Sequence, residues 1–518
     1  MTAPDPSGDA IALDGAEAAC RTALARDFGD PVALRQLGLT LLARGKPAQA
    51  VAMLAEVAAA RPDVESLNDL GRALLAAGLS HEAETRFRDA LRLRRDCVAS
   101  LVGLGRVLLA RDCFSDAVAT LRQAMDAAPT DPEARDLAVQ ALVSQGNAAL
   151  SRNDPTEAER IYREALALTP GLVPALSNLG NALVASHQPD QALDQYRQAL
   201  ARDPDNANTG YAYALALLTA GEYQDGWKYH ERRRQVDPMR WNYDRRPDLP
   251  QWRDGMVLDG RRVLLLAEQG AGDMLQFVRY APMLAERGAQ IVLEARRPLQ
   301  RLFDGMAGVA RVVGPDDPVT DCDLACPLMS LPLLFGTTLD TIPPPVADLT
   351  VPEELLGRWS NWLGPIGKRR RVGIVCSGDP RHPNDAARSI PLRQLTPILS
   401  RRDHLFTLLQ TELRPADRAV RDRLSGLRFP GAALTDYADT AALILQLDLV
   451  VTVDTSVAHL AGTLGKPVWL MLAHAADYRW MLGRSDTPWY PSMTLYRQTR
   501  AGDWDAVIET IGRDITGL

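Results

Sequence analysis

The sequence predicts an α plus α/β protein, in which an N-terminal all-helical solenoid precedes two α/β domains. The first observation is a repeat of about 34 residues in the N-terminal part, marked by Leu-Gly pairs. The second is a change of pattern after Arg261, where short, continuous apolar runs alternate with helical patterns. All nine tryptophans lie after residue 226, so the composition changes along with the pattern. A chain of 518 residues is also too long for one hydrophobic core.

The composition narrows the classes of function. The chain has 58 basic and 65 acidic residues and a net charge of −7, which does not favour a nucleic-acid surface. Its six cysteines include one C-x3-C pair, Cys322 and Cys326, without the further ligands of a zinc site, so thiols in a reducing compartment are expected. The first ten residues lack the features of a secretory signal, and no apolar run approaches the roughly 18 residues that span a bilayer. A cytoplasmic protein is predicted.

Glycines mark the repeats of the N-terminal part. Four of them belong to Leu-Gly pairs, namely Gly38, Gly71, Gly105 and Gly180. Gly146 divides the longest gap between these pairs. Small residues at fixed positions with this period predict pairs of helices whose apolar faces only a neighbouring pair can cover. The repeat around Gly146 is about seven residues longer than the others, which predicts longer or kinked helices there.

The pattern resembles the tetratricopeptide repeat (TPR) family over residues 33–234, after an N-terminal segment with a partial repeat at residues 1–32. Six units are expected, of which the last, residues 208–234, is the least regular. The resemblance implies that the concave face of the array binds an extended peptide or a protein partner. Asn178 and Asn181 are candidates to hold a peptide backbone, and the alternative is that they are ordinary surface asparagines.

Residues 235–260 are predicted to form a connector, because they contain three prolines and no apolar period. The aromatic residues Trp241, Tyr243 and Trp252 indicate that this connector is packed down.

Two α/β domains are expected, the first at residues 261–345 and the second at residues 346–518. This second domain is allowed a C-terminal helix that crosses back to the first domain. Continuous apolar runs separated by helices favour parallel sheets buried on both faces. The predicted strands are residues 263–267, 290–293, 371–376, 405–409, 449–453 and 468–472. Ligands of such sheets bind at the carboxyl ends of the strands, so a site in the cleft between the two domains is expected.

The sharpest local feature lies where the strand ending in Val453 turns into a helix. Thr455 and Ser456 offer hydroxyl groups beside the free amides of the first helical turn, which predicts an anion site. Asp454 is expected to cap the turn or to bind backbone amides. His459 is expected on the same helical face, where the protonated ring would neutralise a leaving group. The alternative is an ordinary helix start with a packed histidine.

A second feature is the sequence Glu-Gln-Gly-Ala-Gly-Asp at residues 268–273, again between a strand and a helix. Gly270 and Gly272 would let the backbone approach a ligand closely, and Gln276 is a further candidate on the same helix. Asp273 is either a capping residue or a general base that faces the cleft. A dinucleotide-binding fingerprint would need a glycine at position 275, which is a leucine.

A third feature is the polar loop at residues 376–389, with Gln410 after the next strand. Glycine, asparagine, arginine and histidine at the end of a strand suit sugar hydroxyls and phosphates, although a solvated loop is the alternative. The candidate binding residues of this region are Ser377, Gly378, His382, Asn384, Arg388 and Gln410.

Together, the segments EQGAGD, SGDPRHPNDAARSI and VTVDTSVAHLAGTLGKPVW resemble heptosyltransferase-type (family 9) glycosyltransferases with the GT-B fold. Residues 479–498 are similar to bacterial proteins that fuse TPR repeats to that domain. The resemblance implies that both α/β domains are Rossmann-like, that residues 261–345 form the acceptor side and that residues 346–518 form the nucleotide-sugar side. It also implies that Asp454, Thr455, Ser456 and His459 hold a nucleotide diphosphate and that Asp273 is the base. Residues 471–476 depart from the Gly-Pro-Thr type loop of the family, so the sugar and the nucleotide stay open.

The motifs and the resemblance together predict a metal-independent glycosyltransferase without a cofactor, whose catalytic residues are Asp273 and His459. The resemblance implies that this transferase is inverting. The donor would be a nucleotide-diphosphate sugar, and the array would recruit the acceptor, a protein. Neither a nucleic-acid partner nor a membrane span is expected. The alternative is a catalytically silent TPR/GT-B scaffold.

Overall fold

The computed structural model describes residues 6–236, 246–346, 349–365, 367 and 369–517, with side chains from residue 12 onward. The chain forms two compact units, Met1–Ala182 and Leu183–Leu518. The predicted connector falls partly on residues 237–245, so Trp241 and Tyr243 lie outside the described residues.

The first unit is built of helices in pairs. They are α1 (Pro6–Arg26), α2 (Pro31–Ala43), α3 (Pro47–Ala60), α4 (Val64–Ala76), α5 (Ser80–Leu93), α6 (Val98–Ala110), α7 (Phe114–Ala127), α8 (Pro132–Ser151) and α9 (Pro155–Leu168), and α10 (Val173–Ala185) begins in this unit. Three of these helices start with an Asp-Pro pair, namely Asp30 before α2, Asp131 before α8 and Asp154 before α9. In each case the aspartate accepts a hydrogen bond from a first-turn amide, and proline stands where a helix needs no N–H group.

The repeat glycines are the points where paired helices touch. At four of them, a Cβ atom would lie between 2.5 and 2.8 Å from a large side chain sixteen residues later, on the second helix of the pair. The pairs are Gly38 with Leu54, Gly71 with Phe87, Gly105 with Leu121 and Gly146 with Tyr162. The sequence period therefore reports a packing distance, because only a glycine admits the bulky partner.

The predicted irregularity around Gly146 is a longer helix. The first helices of the other pairs, such as α4 and α6, have 13 residues, whereas α8 has 20. The extra residues extend α8 by about two turns without a break.

The second unit begins with helices and continues into the α/β region. These helices are α11 (Pro189–Arg202), α12 (Ala207–Ala220) and α13 (Tyr223–His230). Arg233, which follows α13 and is fully buried, donates from Nε and Nη2 to the two carboxylate oxygens of Glu268, both at 3.1 Å. This buried ion pair joins the end of the helical part to the segment after the first strand.

Two parallel sheets form the α/β region. The strands are β1 (Arg262–Leu266), β2 (Gln290–Glu294), β3 (Val309–Val313), β4 (Leu324–Pro327), β5 (Arg370–Val375), β6 (His404–Leu408), β7 (Leu449–Val453), β8 (Val468–Leu472) and β9 (Met493–Arg497). The first sheet has the order β3-β2-β1-β4 and the second β6-β5-β7-β8-β9. The six predicted strands are confirmed to within one residue at each end, whereas β3, β4 and β9 were missed. Trp252 is buried, as predicted for the connector.

Helices connect the strands of both sheets. They are α14 (Ala271–Phe277), α15 (Ala281–Glu286), α16 (Arg297–Phe303), α17 (Leu331–Leu334), α18 (Glu353–Leu363), α19 (Asp385–Arg388), α20 (Thr396–Leu399), α21 (Pro415–Arg423), α22 (Tyr437–Leu445), α23 (Ser456–Thr463) and α24 (Asp505–Asp514). The last helix, α24, packs on α20 and β9 beside the second sheet, where Tyr496 donates to Asp514 at 2.9 Å. Its packing is on the second sheet, so it does not make the crossing back that the sequence analysis allowed for.

Candidate functional site

The helix α23 starts directly at the carboxyl end of β7. Thr455 is its N-cap residue, with extended backbone and no capping bond from its side chain. The Ser456 hydroxyl shares a hydrogen bond of 2.7 Å with the hydroxyl of Tyr437. Thr455, Ser456 and Val457 are half-buried. The amide of Ala458 donates to the carbonyl of Thr455 at 3.0 Å, whereas those of Ser456 and Val457 precede the first intrahelical bond, so this turn presents the positive end of the α23 dipole.

Asp454 lies between this turn and two side chains from elsewhere in the unit. Its carboxylate accepts a hydrogen bond of 2.9 Å from Nε1 of Trp480, rather than from backbone amides as expected. Its carbonyl oxygen accepts one of 2.9 Å from Nη1 of Arg388. Burial, together with the negative charge of Asp477, raises the pKa of Asp454 to about 6. A carboxyl group held partly protonated near neutral pH repels an incoming anion less than a full charge would.

The turn at residues 268–273 starts helix α14 after β1. Gly270 is the N-cap residue, and its N–H donates to the carboxylate of Asp273 at 2.8 Å. Asp273 is therefore the third residue of the helix and reaches back to the cap, which is a capping role.

The two turns touch one another. A Cβ atom at Gly272 would lie 2.9 Å from Cδ2 of His459, so the space beside this glycine is filled by the imidazole of α23. The sequence analysis expected Gly272 to admit a ligand, and the structure shows it admitting a helix. The carboxyl ends of the central strands β1 and β7 thus face the same place.

His459 is buried at this contact. Its Nδ1 and the hydroxyl of Tyr490 share a hydrogen bond of 3.0 Å, and its ring lies 5.3 Å from that of Trp480. Burial, with the positive charges of Arg479 and Arg279, holds the pKa of His459 well below its usual range. The protonated ring expected from the sequence is therefore wrong for this environment, which favours the neutral form.

Arg479 is the residue at which the polar groups of the site converge. It donates to the Asp273 carboxylate and to Oε1 of Gln276, and at 2.8 Å to Asp477. The side chains of Arg479 and Asp273 are only 9% and 14% exposed. Gln276 is fully buried and does not face solvent. Its oxygen holds Nε of the guanidinium in place.

Sequence reasoning missed Arg479, Asp477, Trp480 and Tyr490 as parts of the site. They belong to one segment, residues 477–490, which we call the bridging segment. It carries no apolar period and follows β8 as irregular chain with one short 3-10 turn, so only its likeness to other proteins drew attention to it.

The loop after β5 is joined to the β7–α23 corner through Arg388. A Cβ atom at Gly378 would lie 2.6 Å from Nη2 of Arg388, so this glycine lets the guanidinium pass toward Asp454. Gln410 fixes the loop, since its amide donates to the Ser377 hydroxyl at 2.8 Å and accepts from the amide of Cys376 at 3.2 Å.

His382 and Asn384 are exposed members of the same loop. The amide of Asn384 donates to Nδ1 of His382 at 3.2 Å, so each orders the other. Partial burial and the positive charge of Arg388 lower the pKa of His382.

A cavity of about 360 Å³ lies beside the chain that follows Gln410, at residues 411–413. Its lining includes Glu412, Arg418, Arg421, Asp422 and Phe429, so most of these side chains are charged. Across the described ranges, no group of three or more His, Cys, Asp or Glu residues is arranged to hold a metal ion. Among the helices that the structure describes, none is long and apolar enough to cross a membrane.

The array carries its own candidate positions. Asn147 of α8 is exposed, and its Oδ1 accepts hydrogen bonds from the Tyr162 hydroxyl at 2.7 Å and from Nδ2 of Asn178 at 2.8 Å. Asn178 therefore orients a second asparagine. Asn181 also has a partner within the chain.

Comparison with known proteins identifies the repeats. The family model described as "Tetratricopeptide repeat" matches residues 35–79, 68–132, 133–173 and 177–227. The N-terminal helical region is thus a TPR array followed by a region of parallel sheets, as predicted. TPR arrays are protein-interaction elements.

Three individual proteins illustrate the extent of the likeness. Protein FlbA of Caulobacter vibrioides is 24% identical over 347 residues, which are 61% of this chain and 55% of FlbA, so the chain spans about half the length of this curated relative. YrrB, a TPR protein whose structure is described as having an unusual peptide-binding site, is 20% identical over 38% of this chain and 97% of its own, with a TM-score of 0.31. MamA residues 41-end from Desulfovibrio magneticus RS-1 are 24% identical over 34% and 96%, with a TM-score of 0.29.

Proposed function

We propose that the α/β region transfers a sugar from a nucleotide-diphosphate donor and that the TPR array recruits a protein acceptor. In this reaction the Asp273 carboxylate takes the proton of an acceptor hydroxyl, and the hydroxyl oxygen attacks the anomeric carbon. The bond from that carbon to the diphosphate oxygen breaks, and the diphosphate leaves with the electron pair toward the first turn of α23. Attack opposite the leaving group inverts the anomeric centre.

The observation that carries the proposal is the contact of Gly272 with His459. Two turns that each end a central strand of a parallel sheet meet there, one bearing a carboxylate and the other a helix N-terminus. A base and an anion site at that spacing are what displacement at a glycosyl diphosphate requires. The GT-B arrangement of two Rossmann-like domains is part of this proposal.

In this scheme, groups of the protein itself supply the positive charge that stabilises the leaving diphosphate. The amides at the start of α23 supply the dipole, and Arg388 reaches the same corner, where Nη1 binds the carbonyl of Asp454. His459 contributes as a neutral hydrogen-bonding ring, which agrees with its lowered pKa. The cavity after Gln410 is large enough for a nucleoside.

One observation favours a second function, that of a silent scaffold. Asp273 is already engaged by the N–H of Gly270 and by Arg479, so its carboxylate is not free to meet an acceptor hydroxyl. A region with such a site could serve the TPR array as a folded support without catalysis.

Thermal stabilisation by ligands separates the two. At a concentration of 100 times Kd, a nucleoside diphosphate stabilises the folded protein by about 2.7 kcal/mol. We expect UDP, GDP, ADP, CDP or TDP to raise the Tm of the full chain, and the Arg388→Ala variant to lose this shift. Arg381→Ala is the matched control, because Arg381 lies in the same loop but is exposed and paired with Asp379.

Donor hydrolysis then tests catalysis. The stabilising nucleotide should, as its sugar conjugate, be slowly hydrolysed in the presence of EDTA, and Asp273→Asn should abolish this. Protein that no nucleoside diphosphate stabilises would refute nucleotide binding, and protein that binds without hydrolysing any conjugate would support the scaffold.

A further inference from the structure

Arg479 lies between the two halves of the proposed site. It binds Asp273 of the acceptor side, while the next residue, Trp480, binds Asp454 of the nucleotide side at 2.9 Å. The bridging segment thus connects the two corners through adjacent side chains. Arg479 is also nine-tenths buried, so its charge is poorly screened by solvent.

We propose that Arg479 exchanges the carboxylate of Asp273 for the diphosphate of the donor, so that donor binding releases the base. This inference rests on the proposed function. It assigns to Arg479 a role that neither the sequence patterns nor the comparisons indicate.

Asp273 and the proposed diphosphate position at the start of α23 lie close together. Gly272, one residue before Asp273, touches His459, and His459 lies one turn after the amides that would hold the diphosphate. The charge of Arg479 already acts on both His459 and Asp454. A diphosphate at the start of α23 would therefore stand within the field of the guanidinium.

The other contacts of Arg479 suit a change of partner. Nη1 is held by Asp477 at 2.8 Å, and Nε by Gln276, whereas Nη2 alone binds Asp273. Two of the three bonds can persist while Nη2 turns to a phosphate oxygen. The bound donor then keeps the guanidinium paired, and the released Asp273 carboxylate keeps the hydrogen bond from the N–H of Gly270.

The exchange also resolves the conflict in the proposed function. In the free protein the Asp273 carboxylate is held by Arg479, so it is not free to accept a proton before the donor binds. After donor binding the carboxylate retains only its bond from Gly270, so the oxygen that Arg479 has left is free to accept the proton of the acceptor hydroxyl.

A binding measurement tests the exchange without using catalysis. If a diphosphate must take Arg479 away from Asp273, removing the competing charge should tighten binding. Isothermal titration of UDP, GDP, ADP, CDP and TDP into the full-length Asp273→Asn variant should give an affinity at least about fivefold higher than wild type for the nucleotide that binds. Asp379→Asn removes a carboxylate that pairs with an exposed arginine, and it should leave the affinity unchanged.

Variants of Arg479 complete the test. Arg479→Lys should retain part of the affinity and Arg479→Gln should lose it, provided that circular dichroism shows both to be folded. A wild-type protein that binds a nucleotide as well as Asp273→Asn does, or better, would overturn the exchange and leave the proposed function standing. A wild-type protein that binds none of the five would overturn both.

Discussion

The TPR array and the candidate site both use a glycine to admit a large side chain, but over very different distances along the chain. In the array, Gly71 meets Phe87 sixteen residues later, and the same spacing recurs in three other repeats. In the site, Gly272 meets His459, 187 residues later. Among the glycines compared in the α/β region, no other contact has this spacing. Contacts that recur locally leave a period in the sequence, whereas a contact made once leaves only its two residues.

The difference extends to charge. Array helices pack through apolar contacts that recur in each repeat, and their buried carboxylates, such as Glu84, pair with arginines that stay partly exposed, such as Arg111. The α/β region relies on single buried polar contacts, such as Arg233 with Glu268 and Arg479 with Asp273. We therefore expect point changes to have their largest effects in the second region.

The largest effect should come from Arg233→Met. This change leaves Glu268, whose side chain is 1% exposed, as a buried carboxylate without its arginine. Breaking such a pair costs about 3–5 kcal/mol of unfolding free energy. Because all nine tryptophans lie after residue 226, urea unfolding followed by tryptophan fluorescence reports on the second unit alone.

Arg232→Met is the matched control, since Arg232 is partly exposed and its ion pair with Asp205 is long, at 3.8 Å. Its unfolding free energy should stay within about 0.5 kcal/mol of wild type. Equal losses in both variants would show that the buried ion pair is not special.

A smaller loss is expected in the array from Gly71→Val. A Cβ atom there would lie 2.8 Å from the ring of Phe87, which is fully buried and cannot move away. Overpacking of this kind costs about 1–3 kcal/mol, and the helical signal at 222 nm should melt at a lower temperature. Gly15→Ala in α1, where nothing lies within 4 Å, should instead melt at the same or a higher temperature. A Gly71→Val variant as stable as wild type would mean that the period does not report packing.

The smallest effect concerns pH. The pKa of His459 is well below its usual range in the folded protein, so as the pH falls below about 6.5 the unfolded chain takes up a proton that the folded chain does not. Stability therefore falls with pH, by about 1.4 kcal/mol between pH 7.5 and 5.5 from this residue. In His459→Gln that part should vanish, and urea unfolding at the two pH values measures the difference. An unchanged pH dependence would show that the pKa of His459 is the same in the folded and the unfolded chain.

The sequence predicted the parts of the molecule that are local. The repeats, the long helix at Gly146 and six strands followed from spacing and apolar runs. The strands β3, β4 and β9 were missed because β3 is largely exposed and mixed in pattern, β4 has four residues and ends in proline, and β9 alternates with polar residues.

The site was predicted only in part, for a physical reason. The sequence places Asp273, Thr455 and Ser456 at the ends of strands, and parallel topology brings such ends together. The partners that determine their chemistry, Arg479 and Trp480, lie on an irregular segment whose position depends on tertiary packing. The charge on His459 could not be predicted either, because burial and two distant arginines set its pKa.

The most direct test of the account is a crystal structure of the full chain with a bound nucleoside diphosphate. The account predicts phosphate oxygens about 2.7–3.2 Å from the amides of Ser456 and Val457, with a guanidinium nitrogen of Arg479 turned toward them. A nucleotide bound elsewhere, or one bound at this corner while Arg479 still holds Asp273, would contradict it.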